Sequence, residues 1–217
     1  MSMLPQLEEL DIDGAIREAA SKVDGATRAA FLKKAGLGAG AVVAGGAFAG
    51  AIPAIANAGV AASDVAILNF ALTLEYLEAA FYAGAVSSKF SGKVGTFAGI
   101  VAKHEAAHVA FLKSALGSAA VKSPKFDFKG TNTDMAKFTA TAQVLEDTGV
   151  AAYLGQAGNI KSKKILGAAG SILAVEARHA GWVRDLNNAP GAPAAFQGSK
   201  TKAQILTAVK GTGFIVG

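Results

Sequence analysis

Two four-residue phrases decide how this chain reads: Glu105-Ala106-Ala107-His108 and Glu176-Ala177-Arg178-His179. A Glu and a His three residues apart stand on one helix face, one turn from each other, so both can reach the same point. One such phrase carries little weight. Two become informative through what precedes them, because Glu75 lies 30 residues before Glu105 and Glu146 lies 30 before Glu176. Tyr82 and Tyr153 follow Glu75 and Glu146 by seven residues each. A shift of 71 residues therefore lays Glu75 on Glu146, Tyr82 on Tyr153, Glu105 on Glu176 and His108 on His179. The same shift lays Leu74 on Leu145 and Phe111 on Trp182. The repeated unit is a helical hairpin, used twice.

The surrounding pattern is helical throughout. Ser63 or Asp64 can cap a first helix running to about Ser88, with Leu68, Leu72, Glu75, Ala79, Tyr82 and Val86 on one face. A second helix is expected over 92–116, where Phe97, Val101, Glu105, His108 and Leu112 share a stripe. Asn132 or Thr133 opens a third, to about Gly158, and a fourth spans 160–187 with Gly167 and Gly170 inside it. A short helix at 200–210, capped by Ser199, ends the chain. The first and second helices are joined by a few residues, as are the third and fourth, so each pair is antiparallel. Gly117 to Thr131 lacks a helical period. Fully extended it covers on the order of 50 Å, enough to run back along a 25-residue helix of roughly 37 Å. The expected fold class is all-α, a four-helix bundle of two hairpins joined by one long crossover.

The inward stripes carry unusual cargo. Residues 59–217 hold five glutamates (75, 78, 105, 146, 176) and three histidines (104, 108, 179). Solvated helix faces normally hold many glutamates, yet here nearly all stand among apolar residues. Four carboxylates in a core are very costly as ions or stay protonated. Two divalent cations bring four positive charges against four negative ones and remove the difficulty. Glu75, Glu105, His108, Glu146, Glu176 and His179 are thus the candidate metal ligands, and Tyr82 and Tyr153 are expected to hydrogen-bond to ligating carboxylates. Glu78 has no mate, since its repeat position is Gly149; it reads as an extra carboxylate, an outer partner or a surface group. His104 points about 100° away from the stripe of Glu105 and is expected to be exposed.

The bulk composition agrees with one helical domain. The chain has 217 residues, 52% hydrophobic and 17% charged, which suits a globular core rather than disorder. The net charge of +5 comes from scattered lysines, with no aromatic residues interleaved in the densest groups, so no nucleic-acid partner is expected. The absence of cysteine excludes disulfides and thiolate metal sites. Residues 1–58 form a separate N-terminal segment, 59–190 the bundle and 191–217 a tail. From Ala35 to Ser63 there is no charged residue, and the stretch is rich in Gly and Ala. It follows Thr27-Arg28-Ala29-Ala30-Phe31-Leu32-Lys33-Lys34 and reaches the A-x-A pattern Ala56-Asn57-Ala58. Residues 27–58 resemble a twin-arginine export signal, with Ala29 where the second arginine belongs. Export is the expectation; membrane association or helix packing through 35–62 is the alternative, with a cytoplasmic protein if the signal is unused.

Residues 63–187 resemble the ferritin-like superfamily of two-iron carboxylate proteins. The phrase Leu68-Asn69-Phe70-Ala71-Leu72-Thr73-Leu74-Glu75-Tyr76-Leu77-Glu78 is most similar to the ferritin-like domain family that includes desiccation-related proteins. The resemblance implies that Glu105 and Glu176 bridge two metals, and that Glu75, Glu146, His108 and His179 bind one each. It implies two iron ions, with two manganese ions or a mixed pair as alternatives. The activity it implies is oxidation of ferrous iron, or reduction of dioxygen or hydrogen peroxide, in stress protection. A dimanganese catalase-like enzyme and a non-catalytic desiccation protectant stay open beside it. Without cysteine there is no thiolate-iron module, so the electron donor is external, and a homo-oligomer is compatible with the pattern.

Overall fold

The structure, a computed structural model, describes residues 60–216. The N-terminal segment 1–58, with its expected signal or membrane role, lies outside the described residues. Five α-helices follow: α1 (Ala62–Ser87), α2 (Gly92–Leu116), α3 (Met135–Ala157), α4 (Lys163–Leu186) and α5 (Lys202–Thr212). No β-strand occurs among the described residues. The architecture is the expected all-α bundle, with α1 packed along α2, α3 along α4, and the crossover 117–134 between the hairpins.

The helix starts differ from the sequence expectations in ways that tie the hairpins together. Neither Ser63 nor Asp64 caps α1; its N-cap is Ala61, with no side-chain bond. The buried Asp64 carboxylate instead accepts the backbone N–H groups of Lys161 and Ser162, each at 2.9 Å. These are donors at a helix start, where intrahelical partners are lacking, so α1 secures the entry to α4 across the bundle. Helix α3 begins at Met135 rather than Asn132 or Thr133, because Asp134 accepts the Lys137 N–H at 2.9 Å. Asn132 is drawn inward, where its amide donates to the Phe81 carbonyl at 3.3 Å. A Cβ at Gly84 would fall 2.1 Å from that amide nitrogen, so glycine is what lets the crossover approach α1 so closely.

Helix α4 starts at Lys163, after Ser162 as N-cap, and runs unbroken through Gly167 and Gly170. Ser199 does not cap α5. Thr201 does, in a reciprocal capping box with Gln204. Beyond α5 the tail turns back on the crossover: the Asp127 N–H donates to the Phe214 carbonyl at 2.9 Å and the Val216 N–H to the Lys125 carbonyl at 2.9 Å. Phe126 and Ile215 form an antiparallel bridge there.

The core has two apolar clusters. One gathers Phe81, Tyr82, Phe97 and Phe138 with residues of the tail, and the other gathers Leu68, Leu72, Leu112, Ile165 and Ile172. Each fully buried side chain of this size is worth about 1.5–3 kcal/mol. Along every helix of the bundle a buried glutamate stands within this apolar setting: Glu75, Glu105, Glu146 and Glu176. That order puts a polar layer between two dry ones.

Candidate metal centre

The six candidate ligands converge. Glu75, Glu105, Glu146 and Glu176 are each 0% exposed and His179 is 2% exposed. The His108 side chain is 11% exposed. Two groups form, each with its ligand atoms within 4.8 Å of one another: Glu75, Glu105, His108 and Glu176; and Glu105, Glu146, Glu176 and His179. Glu105 and Glu176 belong to both. The 71-residue repeat exchanges the two groups, so the symmetry legible in the chain is the symmetry of the site.

Individual oxygens divide in the same way. His108 Nδ1 lies 3.3 Å from Glu75 Oε2, 3.2 Å from Glu105 Oε2 and 3.0 Å from Glu176 Oε1. His179 Nδ1 lies 3.2 Å from Glu105 Oε1, 3.4 Å from Glu146 Oε2 and 3.7 Å from Glu176 Oε2. Each shared carboxylate thus turns one oxygen to either histidine. Six of these buried atoms have no hydrogen-bond partner: Glu75 Oε2, Glu105 Oε1, Glu146 Oε2, both oxygens of Glu176, and His179 Nδ1. His179 Nδ1 is near three oxygens but aligned with none, so it aims at the space between them. Orphaned buried polar atoms are rare in folded proteins. Their convergence here fits metal ions held by carboxylate oxygens and imidazole nitrogens.

The tyrosines complete the exchange between repeats. Tyr82, on α1, donates its hydroxyl to Glu146 Oε1 on α3, and Tyr153, on α3, donates to Glu75 Oε1 on α1 at 2.5 Å. Each phenol occupies the outer oxygen of a carboxylate and leaves the inner one facing the centre. Burial, then the charge of the bonded glutamate, raises both phenols well above their ordinary range, so they remain donors.

Without metal the charges are in conflict. Burial, partly offset by His108, pushes Glu75 well up, and burial together with the Glu176 charge does the same to Glu146. Burial would also raise Glu105, but the hydrogen bond from His108 and the nearby His179 imidazole hold it down at about 2. Burial works against a charged imidazole at His179, yet Glu105, Glu146 and Glu176 raise it to about 12, and His108 is raised for the same reason by Glu105, Glu176 and Glu75. The metal-free centre therefore holds protons where cations would sit.

Two residues depart from the repeat. Glu78 is 3% exposed and points inward, so it is not a surface group. A Cβ at Gly149 would lie 3.2 Å from Glu78 Oε1 and 3.7 Å from Glu176 Oε2. The missing mate has a steric cause: the space that a side chain at 149 would need is filled by Glu78. Burial, then Glu176 and Glu146, raises its carboxyl well above the usual range.

His104 corrects the expectation of exposure. It is half-buried, and its Nδ1 lies 2.8 Å from His179 Nε2, with the two rings 16° from parallel. A bundle helix buries more than a narrow stripe, so a residue 100° off the axis of Glu105 still meets the flank of α4. No periodicity in the chain marks this contact. The repeat gives one hint of it, since the position matching His104 is Val175, and a histidine without a counterpart marks a local break in the symmetry.

Residues 63–189 match the family model described as a ferritin-like domain, which is more than half of the chain. The chain belongs to the ferritin-like domain family. A search of curated proteins gave no match. The ferritin-like region takes in both hairpins, the crossover, all six converging side chains, both tyrosines, Glu78 and His104; α5 and the tail residue Ile215 that bridges to the crossover lie beyond it.

Proposed function

We propose that this ferritin-like protein is a two-metal oxidoreductase of stress protection. Glu75, Glu105, His108, Glu146, Glu176 and His179 would hold two iron ions. Bound there, a ferrous pair supplies two electrons to dioxygen or hydrogen peroxide. The observation that carries the reading is the division of oxygens at Glu105 and Glu176, one to each four-residue group.

The chain's own residues supply the surroundings. Glu105 and Glu176 would keep two cations close by sharing their charge between them. Glu75 and Glu146 each serve one position, their outer oxygens restrained by Tyr153 and Tyr82. That restraint fixes carboxylate orientation while leaving the inner oxygen free to follow a change in metal charge. Apolar clusters on both sides keep bulk water from the layer, which strengthens every electrostatic interaction inside it. No cysteine is present, so reducing electrons come from an external donor. Export, or membrane association through residues 35–62, belongs to the same proposal and suits a protective role outside the cytoplasm.

Anaerobic loading with Fe(II), then stopped-flow mixing with dioxygen or hydrogen peroxide, tests this reading. The expected result is oxidation of two iron ions per chain, lost in Glu105→Ala. Bound metal that never changes oxidation state would overturn it in favour of a bundle stabilised by metal. Rapid peroxide breakdown by the manganese-loaded protein alone would favour the catalase-like alternative.

A further inference from the structure

The two halves of the centre are related by the repeat, but their outer surroundings are not. His179 presents Nδ1 to Glu105, Glu146 and Glu176. Its other nitrogen, Nε2, meets His104 Nδ1 at 2.8 Å. The ring centroids are 5.1 Å apart, only 2.3 Å more than the nitrogens, and the planes are 16° from parallel. The rings therefore lie side by side, nearly in one plane, with each nitrogen's in-plane direction along the contact. That is the geometry of a well-aligned hydrogen bond rather than of face-to-face stacking.

The tautomers follow from the chemistry. A metal held at that group would take the lone pair of His179 Nδ1, leaving the ring proton on Nε2. His179 Nε2–H then donates to His104 Nδ1, and His104 keeps its own proton on its Nε2. The repeat lays His104 on Val175 and His108 on His179. A valine side chain neither accepts nor donates. Among the described residues no hydrogen bond reaches Nε2 of His108, whose partners all lie on Nδ1.

We infer that His104 is a positioning residue that makes the two metal positions unequal, by holding the His179 ring with Nδ1 turned to Glu105, Glu146 and Glu176. The ion at that group is bound more tightly and fills first; the ion at Glu75, Glu105, His108 and Glu176 follows. The expected scale comes from outer hydrogen-bond partners of metal-ligating histidines, whose removal costs about 10–100-fold in metal affinity. This inference rests on the two-ion reading and is independent of any redox step.

The test is anaerobic titration of the full chain with Fe(II) against a chelator of known affinity, with Mössbauer spectra of 57Fe taken at one and two equivalents. Wild type is expected to bind in two resolved steps, the first equivalent populating one spectral component. His104→Ala should weaken the first step about 10–100-fold, leave the second unchanged and spread one equivalent over both components. His104→Asn keeps an acceptor where Nδ1 stands and should restore the two steps. Apo-protein melting should fall modestly in His104→Ala, because the buried His179 Nε2 loses its acceptor, and recover in His104→Asn, so the titrations compare folded chains. Two equal steps in wild type, an unchanged first step in His104→Ala, an equal loss at both steps, or no recovery in His104→Asn would each overturn the inference. Wild type that binds no metal would overturn the two-ion reading beneath it.

Discussion

Replacement of Glu105 by alanine should abolish the stabilisation that metal gives, whereas replacement of Glu146 should remove the share of one ion only. Glu105 belongs to both four-residue groups and Glu146 to one. Glu105→Ala therefore cuts the donor set of each position from four to three, and Glu146→Ala does so at one position only. An ion present at about 100 times its Kd stabilises the folded chain by about 2.7 kcal/mol, so two independent ions give about 5.4 kcal/mol. At about 2–4 °C per kcal/mol for a chain of this size, Tm should rise by roughly 11–22 °C on loading wild type. For Glu146→Ala, which removes the tighter position, the rise should be half of that or less, with one ion per chain. For Glu105→Ala it should nearly vanish. Calorimetry of loaded and metal-free samples of the same variant, with metal content measured in parallel, reads this directly. Comparing each variant with its own apo form removes the effect of losing a buried carboxylate. Two ions and a full Tm rise in Glu105→Ala would refute the sharing of Glu105 between the positions.

Three further outcomes follow from the same contacts. Tyr82→Phe leaves Glu146 Oε1 without its donor, and should lower apo stability by about 1–3 kcal/mol in denaturant unfolding and weaken one ion only. Gly149→Ala gains about 1 kcal/mol of helix propensity but sets a methyl 3.2 Å from Glu78 Oε1. In a double-mutant cycle Gly149→Ala should therefore be more stabilising in a Glu78→Ala background, with a coupling of about 0.5–3 kcal/mol; strict additivity would mean that the two positions do not share space. Metal affinity should rise with pH across the neutral range. His108 and His179 are raised far above 6.5, the latter to about 12, so both hold protons at neutral pH in the metal-free centre and release them on binding. Each released proton contributes up to about tenfold in affinity per pH unit, and the count is read from the buffer dependence of the binding enthalpy.

Much of this was legible in the chain because buried carboxylates and imidazoles break the hydrophobic pattern in a periodic way. A glutamate inside an apolar stripe is conspicuous, and the 71-residue shift doubled each of the main landmarks. Hairpin and crossover lengths then left few ways to arrange four helices. Contacts between helices were less legible, because they depend on how each helix is rotated and which rotamers its neighbours take. Asp64 reads as an ordinary cap for its own helix, yet it serves the start of α4 some 97 residues away. His104 lies outside the stripe, and only the orientation of His179 on α4 brings the two rings together. Glu78 and Gly149 are a complementary pair across two helices, and chain spacing shows the asymmetry without its cause. The bridge of the tail to the crossover joins Phe126 to Ile215 through backbone atoms, which no side-chain pattern announces.

The most direct test of the central claim is anomalous diffraction at the iron and manganese edges from crystals of the metal-loaded chain. Two peaks are predicted among Glu75, Glu105, His108, Glu146, Glu176 and His179, each touching one histidine and both touching Glu105 and Glu176. A single peak, peaks elsewhere on the bundle, or no peak with the six side chains in their present places would contradict it.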